Sequence, residues 1–353
     1  MAILVTGGFF VRIAVDAMGG DYAPGQIVLG AIEAVHQYEE CEIVLVGDQD
    51  KIQAELDKNG IKDEPRLIIQ HASQAIEMGE HPVEAIRHKK DASLVVATKL
   101  VKTGDCDGVV SAGSTGAATV AAKMFLKMIK GIDRPSIATP LPSTHGVALL
   151  LDSGAIVDSK PRDLTEMAMM GSIFSKYVYG LENPTVGLLN IGEEETKGNK
   201  KVQATYPMLK QAKDVNFIGN IEGRDIPTGK ADVVICDGFV GNIVLKFAEG
   251  LAVTLFQLIK DAIKQGGIFA KLGAVLVMPA LKKLGKRLDV SEYGGAPLLG
   301  VNGCCIICHG SSNAKAICSA IGVAIECVRN DVTGHIRDSI AEEELLANDS
   351  ETL

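Results

Sequence analysis

One pattern recurs along most of this 353-residue chain and limits the folds that it can form. A short run of β-branched or aliphatic residues is followed by a loop rich in Gly, Asp and Asn, and then by a helix-forming segment. Runs of this kind lie at 12–15, 42–48, 66–69, 109–110, 148–152, 185–190, 231–236 and 303–308. Alternating strands and helices predict an α/β fold with a mostly parallel sheet. In such a sheet the loops after the strands gather at one edge, where ligands bind.

The most informative of these loops lies within CDGVVSAGSTGAATVAAKM, residues 106–124. A buried strand, a loop of small residues and a helix follow one another here, so free backbone N–H groups and the positive helix end point to one spot. The hydroxyl groups of Ser114 and Thr115 add donors between Gly113 and Gly116. An anion, most naturally phosphate, suits this loop, although an ordinary capped connection has the same pattern. The spacing matches neither the P-loop nor the dinucleotide fingerprint.

The loop DAMGGD after the first strand is a second candidate for a ligand site. Asp16, Gly19, Gly20 and Asp21 would lie beyond the carboxyl end of that strand. The two glycines would allow the backbone to approach a ligand closely. A tight turn with aspartate caps explains the same residues without a ligand.

The net charge argues against one class of partner, and the cysteine content indicates the compartment. The formal net charge of −9 disfavours nucleic acid as the main partner. Eight cysteines in a long chain without a convincing signal peptide indicate reduced thiols and a cytoplasmic protein.

The sequence also gives no support for a metal site, for a catalytic nucleophile or for a nicotinamide cofactor. On a strand, Cys304 and Cys308 would share one face while Cys305 and His309 share the other, so these side chains would not converge on one metal ion. Small buried cysteines are the favoured explanation. The chain has no G-x-S-x-G motif, and no G-x-G-x-x-G follows its first strand. We therefore expect neither a metal nor a cofactor.

The two ends of the chain are expected to lie outside the main fold. Residues 1–11 have no basic segment and no small-residue cleavage site, which indicates a leader or an upstream extension rather than a signal peptide. Residues 336–353 predict an acidic tail, which is expected to be frayed from residue 341 onward. The segment 12–335 would then form one folded unit.

Residues 247–288 depart from the strand–loop–helix pattern and predict an amphipathic helical hairpin. Its segment 266–281 is apolar apart from Lys271, and it is too short and too often interrupted to span a bilayer. Basic residues border it, namely Lys264, Lys271, Lys282, Lys283, Lys286 and Arg287. A hairpin with a basic rim suits an anionic membrane surface or a subunit interface, and an internal pair of core helices is the third possibility.

Six ordered motifs resemble a known family. They are DAMGGDYAP (16–24), SAGSTGA (111–117), VGLLNIGEEETKG (186–198), NFIGNIEGRDI (216–226), DVVICDGFVGNIVLK (232–246) and YGGAPLLGVNG (293–303). They resemble PlsX, the bacterial phosphate acyltransferase family of phospholipid synthesis, and the resemblance covers residues 12–335. It implies transfer of a fatty acyl group from acyl carrier protein to inorganic phosphate, which yields acyl phosphate.

The resemblance also implies a fold and partners. The fold would be a three-layer α/β/α arrangement like that of isocitrate and isopropylmalate dehydrogenases, with two intertwined lobes around one mixed sheet. The protein would be a cytoplasmic homodimer, peripherally associated with the membrane and acting ahead of a glycerol-3-phosphate acyltransferase. The alternatives are a phosphotransacetylase-like or dehydrogenase-like enzyme of the same fold group, and a non-enzymatic membrane scaffold for lipid-synthesis enzymes.

Roles for individual residues follow from the resemblance and from thioester chemistry. Phosphate is assigned to the 113–116 loop, with Lys197 as a counter-charge. Candidates for polarising or orienting the thioester carbonyl are Asn190, Asp237, Asn242 and His309, although each could instead cap a loop. Carrier protein is expected to dock on Lys264, Lys282, Lys286 and Arg287, where membrane lipid would compete with it.

Two positions depart from the family pattern, which has Asn at both. This chain has Ser114 and Ile156 there. Ser114 keeps a hydrogen-bond donor, whereas Ile156 has no amide. Any polar contact from that side chain in the segment 152–158 is therefore in doubt.

Overall fold

The computed structural model describes residues 10–288 and 293–350. Its strands are β1 (Val11–Asp16), β2 (Cys41–Gly47), β3 (Leu67–His71), β4 (Gly108–Ser111), β5 (Ser136–Ile137), β6 (Thr139–Ser143), β7 (Gly146–Leu151), β8 (Thr185–Asn190), β9 (Asn216–Glu222), β10 (Val233–Ile235), β11 (Ala296–Leu299) and β12 (Cys304–Ile307). Its helices are α1 (Gly25–Gln37), α2 (Gln49–Lys58), α3 (Pro82–His88), α4 (Ser93–Thr103), α5 (Thr115–Phe125), α6 (Pro161–Tyr179), α7 (Lys200–Gln211), α8 (Gly238–Gln265), α9 (Gly267–Leu288), α10 (Ala314–Arg329) and α11 (Val332–Ser350).

The strands form two sheets. One has seven strands in the order β3-β2-β1-β4-β12-β11-β5, and the other has five in the order β6-β7-β10-β8-β9. Pairing is parallel from β3 to β12 and from β7 to β9, while β11, β5 and β6 join antiparallel. Mixed sheets flanked by helices confirm the predicted α/β fold class.

Helices cover both faces of the seven-stranded sheet. Side chains alternate between the faces of a strand, and in β1 the residues Ile13 and Val15 enter the core shared with α1 and α10. Ala14 enters the second core, which α4 and α5 cover. Helices α1 and α10 lie close together, because a Cβ added to Gly30 would lie 2.6 Å from the Cβ of Ile317. The result is an α/β/α arrangement of layers around this sheet.

The five-stranded sheet is separate from the first, whereas the resemblance implied one mixed sheet. The chain passes from β5 to β6 through the single residue Ala138. Strand β6 forms an edge and pairs with β7 alone. Pro140 and Pro142 have no N–H group to donate, and prolines at alternate positions suit an edge strand.

Both ends of the fold extend further than predicted. Val11 is buried and pairs with Cys41, so the first strand includes one residue of the expected leader. Residues 336–350 continue α11 where a tail was predicted, and Ile336 and Ile340 are buried in the main core. Their four-residue spacing continues from Val332 and places all three on one face of the helix.

The predicted hairpin corresponds to α8 and α9, but its first helix begins earlier. Helix α8 starts at Gly238 rather than at 247, directly after β10, and runs for 28 residues. The side chain of Asp237 accepts a hydrogen bond from the Val240 N–H (2.9 Å) and caps this start. The helix is therefore anchored in the five-stranded sheet by its first turn.

Candidate active site

A cavity of about 870 Å³ is lined by residues from both sheets and from α8. Asp21, Gly113, Thr115 and His309 line it from loops of the seven-stranded sheet, and Asn242 lines it from the first turns of α8. The sequence placed these residues in four separate motifs. The fold brings them to one cavity.

Two residues of the 113–116 loop, Gly113 and Thr115, line this cavity. Helix α5 begins at Thr115, and the Ser114 hydroxyl caps it by accepting a hydrogen bond from the Ala117 N–H (3.4 Å). Among the described residues, the N–H groups of Ser114, Thr115 and Gly116 have no hydrogen-bond partner. Because donors and the positive helix end coincide here, the loop suits an anion.

A second helix begins at the same cavity. Asn313 lines it and caps α10 by accepting a hydrogen bond from the Ala316 N–H (2.9 Å). The N-terminal ends of α5 and α10 therefore border one space. Both ends favour negative charge in that space.

The loop after β1 lies against the 113–116 loop. Asp21 lines the cavity, and its N–H donates to the Gly310 carbonyl (2.8 Å). Gly20 has φ +104°, and a Cβ there would lie 3.1 Å from the carbonyl oxygens of Ala112 and Gly310. Glycine is needed at this position both for the backbone conformation and for the close contact.

Asp16 lies beneath these loops rather than in the cavity. The side chain is 2% exposed and accepts hydrogen bonds from the hydroxyls of Ser93 (2.5 Å) and Ser111 (2.7 Å). Burial raises the pKa of Asp16, and these two hydrogen bonds oppose the rise. Its position is that of a structural group, although the sequence suggested a ligand contact.

His309 is held in one tautomer when its ring is neutral. The Ser311 N–H donates to His309 Nδ1 (3.2 Å), and the Ser311 hydroxyl lies 2.8 Å from the same atom. A backbone N–H can only donate, so Nδ1 accepts and Nε2 carries the proton. His309 can therefore offer an N–H donor from Nε2.

The loop that contains Ile156 is organised by a buried carboxylate. Asp152 accepts hydrogen bonds from the N–H groups of Ile137 (3.0 Å), Gly154 (3.1 Å), Ala155 (3.0 Å) and Ile156 (2.7 Å). The contact at position 156 is made by the main chain. The loop conformation does not depend on an amide side chain there.

Three predicted catalytic residues do not line the cavity. Asn190 holds its own loop, because its amide donates to the Lys197 carbonyl (3.1 Å) and its side-chain oxygen accepts from the Ile191 N–H (2.8 Å). Asp237 caps α8 and forms an ion pair with Lys201 (3.1 Å). Asn190, Lys197 and Asp237 are absent from the described cavity lining, and their catalytic assignment stays a prediction.

Three further polar residues that line the cavity were not predicted from the sequence. Thr139 and Ser153 line the cavity, with their hydroxyl oxygens 2.6 Å apart. Lys246 also lines it and forms an ion pair with Glu249 (2.9 Å). Ser153 follows the predicted strand 148–152, but its pairing with Thr139 depends on the passage between the two sheets. Lys246 ends the motif 232–246, but a position inside a helix does not indicate that its side chain lines a cavity.

Helix α8 gives the cavity an apolar wall through Leu245, Val253 and Phe256. By length and composition this helix could cross a membrane, with a mean hydropathy of 1.6 over the most apolar window. Beyond its first turn it is largely uncovered, as is α9, where Phe269 is 85% exposed. The predicted contact residues Lys264 and Lys271 are exposed. The side chains of Lys282, Lys283, Lys286 and Arg287 lie outside the described residues.

Solved structures of phosphotransacylases have a similar fold. A phosphotransacetylase from Streptococcus pyogenes matches with a TM-score of 0.64 at 18% identity, covering 91% of this chain and 94% of the other. A branched-chain phosphotransacylase from Enterococcus faecalis matches with a TM-score of 0.54 at 14% identity, covering 90% of this chain and 100% of the other. The fold is thus one that phosphotransacylases adopt, and the 113–116 loop lies at the sheet edge where such α/β folds bind ligands.

Sequence relatives define the family more narrowly. Residues 11–335 match the family described as "Fatty acid synthesis protein". Proteins named phosphate acyltransferase from Desulfitobacterium hafniense (55% identity over 331 residues) and Heliobacterium modesticaldum (55% over 330) each cover 94% of this chain, which spans 98% of each relative. The chain therefore belongs to the PlsX family of phosphate acyltransferases, which are transferase enzymes.

Proposed function

We propose that this protein transfers a fatty acyl group from acyl carrier protein to inorganic phosphate, and that the acyl phosphate serves phospholipid synthesis. The observation that supports this proposal best is the composition of the cavity. It combines the 113–116 loop, in which the N–H groups of residues 114–116 have no partner among the described residues, with an apolar wall on α8. A phosphate ion suits the first part and an acyl chain suits the second.

The proposed reaction needs no covalent enzyme intermediate. A phosphate oxygen attacks the thioester carbonyl carbon, a C–O bond forms, and the C–S bond breaks with its electron pair leaving on sulfur. The proton of hydrogen phosphate ends on that thiolate, so acyl phosphate and free thiol are the products. Because a thiolate leaves readily, positioning and electrostatic stabilisation can supply most of the rate, and ideal positioning gives up to about 7–11 kcal/mol.

Two side chains in the cavity suit the carbonyl oxygen. His309 offers an Nε2–H donor, and Asn242 offers an amide. Donors aimed at an oxygen that gains negative charge stabilise the transition state. Lys246, rather than Lys197, is the described lysine that lines the cavity and could balance the phosphate charge.

The decisive assay supplies purified protein with palmitoyl-acyl carrier protein and phosphate. We expect free thiol and a hydroxylamine-trappable acyl phosphate in equal amounts, and neither when phosphate is omitted. Acetyl-CoA is the matched donor for the phosphotransacetylase alternative. Phosphate-independent thiol release, or turnover with acetyl-CoA only, would contradict the proposal. Binding to liposomes without turnover would favour the scaffold alternative.

We further propose that the α8–α9 hairpin is an interaction surface, with a homodimer partner and the membrane as the two occupants. Exposed apolar side chains and the exposed lysines Lys264 and Lys271 support a surface of this kind. Membrane association would place the cytoplasmic enzyme near a glycerol-3-phosphate acyltransferase that uses its product. Flotation with anionic and neutral liposomes tests the lipid contact, and light scattering tests the dimer. The assignment would be refuted if the protein is monomeric and binds neither the anionic nor the neutral liposomes.

A further inference from the structure

A buried chain of hydrogen bonds lies under the 113–116 loop. Asp16 ends β1, Ser111 ends β4 and Ser93 begins α4, and all three side chains are buried. The Ser93 hydroxyl bonds to Asp16 Oδ1, and the Ser111 hydroxyl bonds to Asp16 Oδ2. One carboxylate therefore ties two strands and a helix together at the edge of the cavity.

The direction of these hydrogen bonds is fixed by counting protons. The Gly113 N–H donates to Ser111 Oγ (3.1 Å), and an N–H group can only donate. Ser111 Oγ carries one proton, which it gives to Asp16 Oδ2 (2.7 Å). The order is therefore Gly113 N–H to Ser111, and Ser111 O–H to Asp16.

This order orients the peptide groups of the loop. The Gly113 N–H turns inward to Ser111, whereas the next three N–H groups, at 114–116, have no partner among the described residues. The loop after β1 lies against the same peptide, since a Cβ on Gly19 would lie 2.9 Å from the Gly113 nitrogen. The Gly113 peptide is thus held from two sides.

We propose that Ser111 and Asp16 are positioning residues for phosphate binding. By holding the Gly113 N–H inward, they keep the N–H groups of residues 114–116 directed at the cavity as one anion site. Asp16 does not bind phosphate itself, because its carboxylate is buried and two anions repel each other. This inference rests on the proposed function and adds to it the residues that shape its phosphate site.

Ser111→Ala tests the inference, with Ser93→Ala as the matched control. Ser93 bonds to the other oxygen of the same carboxylate but does not contact the Gly113 peptide in the described hydrogen bonds. We expect Ser111→Ala to raise the KM for phosphate about tenfold, with the KM for the acyl donor changed less than about twofold. Ser93→Ala should lower thermal stability while the phosphate KM stays within about twofold of wild type.

A readout without turnover separates this inference from the proposed function. Inorganic phosphate should raise the melting temperature of wild type and Ser93→Ala, and this rise should need about tenfold more phosphate in Ser111→Ala. If wild type transfers acyl groups but Ser111→Ala keeps the wild-type phosphate dependence, the inference is wrong. If wild type shows no transfer, the proposed function fails, and the phosphate-induced rise still tests the loop. Should Ser111→Ala not fold, Asp16→Asn replaces it, and an unchanged phosphate dependence there would also overturn the inference.

Discussion

Replacing Gly241 by Ala should destabilise the protein although alanine is the better helix former. Gly241 lies in the first turns of α8, and a Cβ there would come well under 3.0 Å from the Asp152 carbonyl oxygen and 3.1 Å from Cys236 Sγ. The carbonyl cannot move away easily. The Asp152 N–H donates to the Cys236 carbonyl (2.9 Å) and its side chain accepts four main-chain hydrogen bonds.

The expected magnitude combines two opposing effects. Forcing an extra methyl group into a close-packed contact costs about 1–3 kcal/mol, and the contact with an immobile backbone atom indicates the upper part of that range. Exchanging Gly for Ala inside a helix returns about 0.5–1 kcal/mol. We therefore expect Gly241→Ala to lower the free energy of unfolding by about 2 kcal/mol.

Gly250 provides the matched control in the same helix. A Cβ added there meets no described atom within 4 Å. Gly250→Ala should raise the free energy of unfolding by about 0.5–1 kcal/mol, so the two variants should differ by about 2.5–3 kcal/mol. Urea denaturation followed by circular dichroism measures both. Equal stability of the two variants would show that α8 does not contact Asp152 as described.

Three further predictions concern other parts of the molecule. Lys201→Met removes the cation beside Asp237 and should cost about 1–2 kcal/mol in urea denaturation; a loss below about 0.5 kcal/mol would contradict a stabilising ion pair. Phe269→Ser should weaken liposome flotation without lowering the melting temperature, because this side chain is 85% exposed; a lower melting temperature would mean that it is covered within the fold. Burial raises the pKa of Cys106 and of Cys308 to about 12, so maleimide should label neither at pH 7 until the protein unfolds; rapid labelling of the native protein at either position would refute their burial.

The parts of the site that sequence could predict are those built from consecutive residues. The 113–116 loop belongs to this group, because a buried strand, small residues and a helix start follow one another within residues 106–124. Its Ser114 cap is a local contact as well, spanning three residues to Ala117. His309 and Asn242 also follow predicted strands, but these strands, β12 and β10, belong to different sheets. The meeting of the two residues at one cavity therefore depends on how the two sheets lie together.

The parts that sequence could not predict depend on contacts between distant segments. The buried carboxylate of Asp16 accepts hydrogen bonds from Ser93 and Ser111, which lie 77 and 95 residues away. Asp237 likewise forms its ion pair with Lys201, which lies 36 residues earlier in the chain. A strand-end aspartate therefore has the same local pattern whether it holds a ligand, caps a helix or supports a loop.

The sites proposed for phosphate and for the acyl chain are held by structures of different rigidity. The proposed phosphate site lies on buried strands, with Asp16, Ser111 and the Gly113 peptide joined beneath it. The apolar wall proposed for the acyl chain lies on α8. Of the described residues 238–265 of this helix, only Gly238 and Gly241 are buried. That helix is anchored mainly through its first turn. We therefore expect the distance between the apolar wall and the 113–116 loop to depend on the contact between Gly241 and Asp152. A substitution there should therefore raise the KM for the acyl donor more than the KM for phosphate, the reverse of the effect expected from Ser111→Ala.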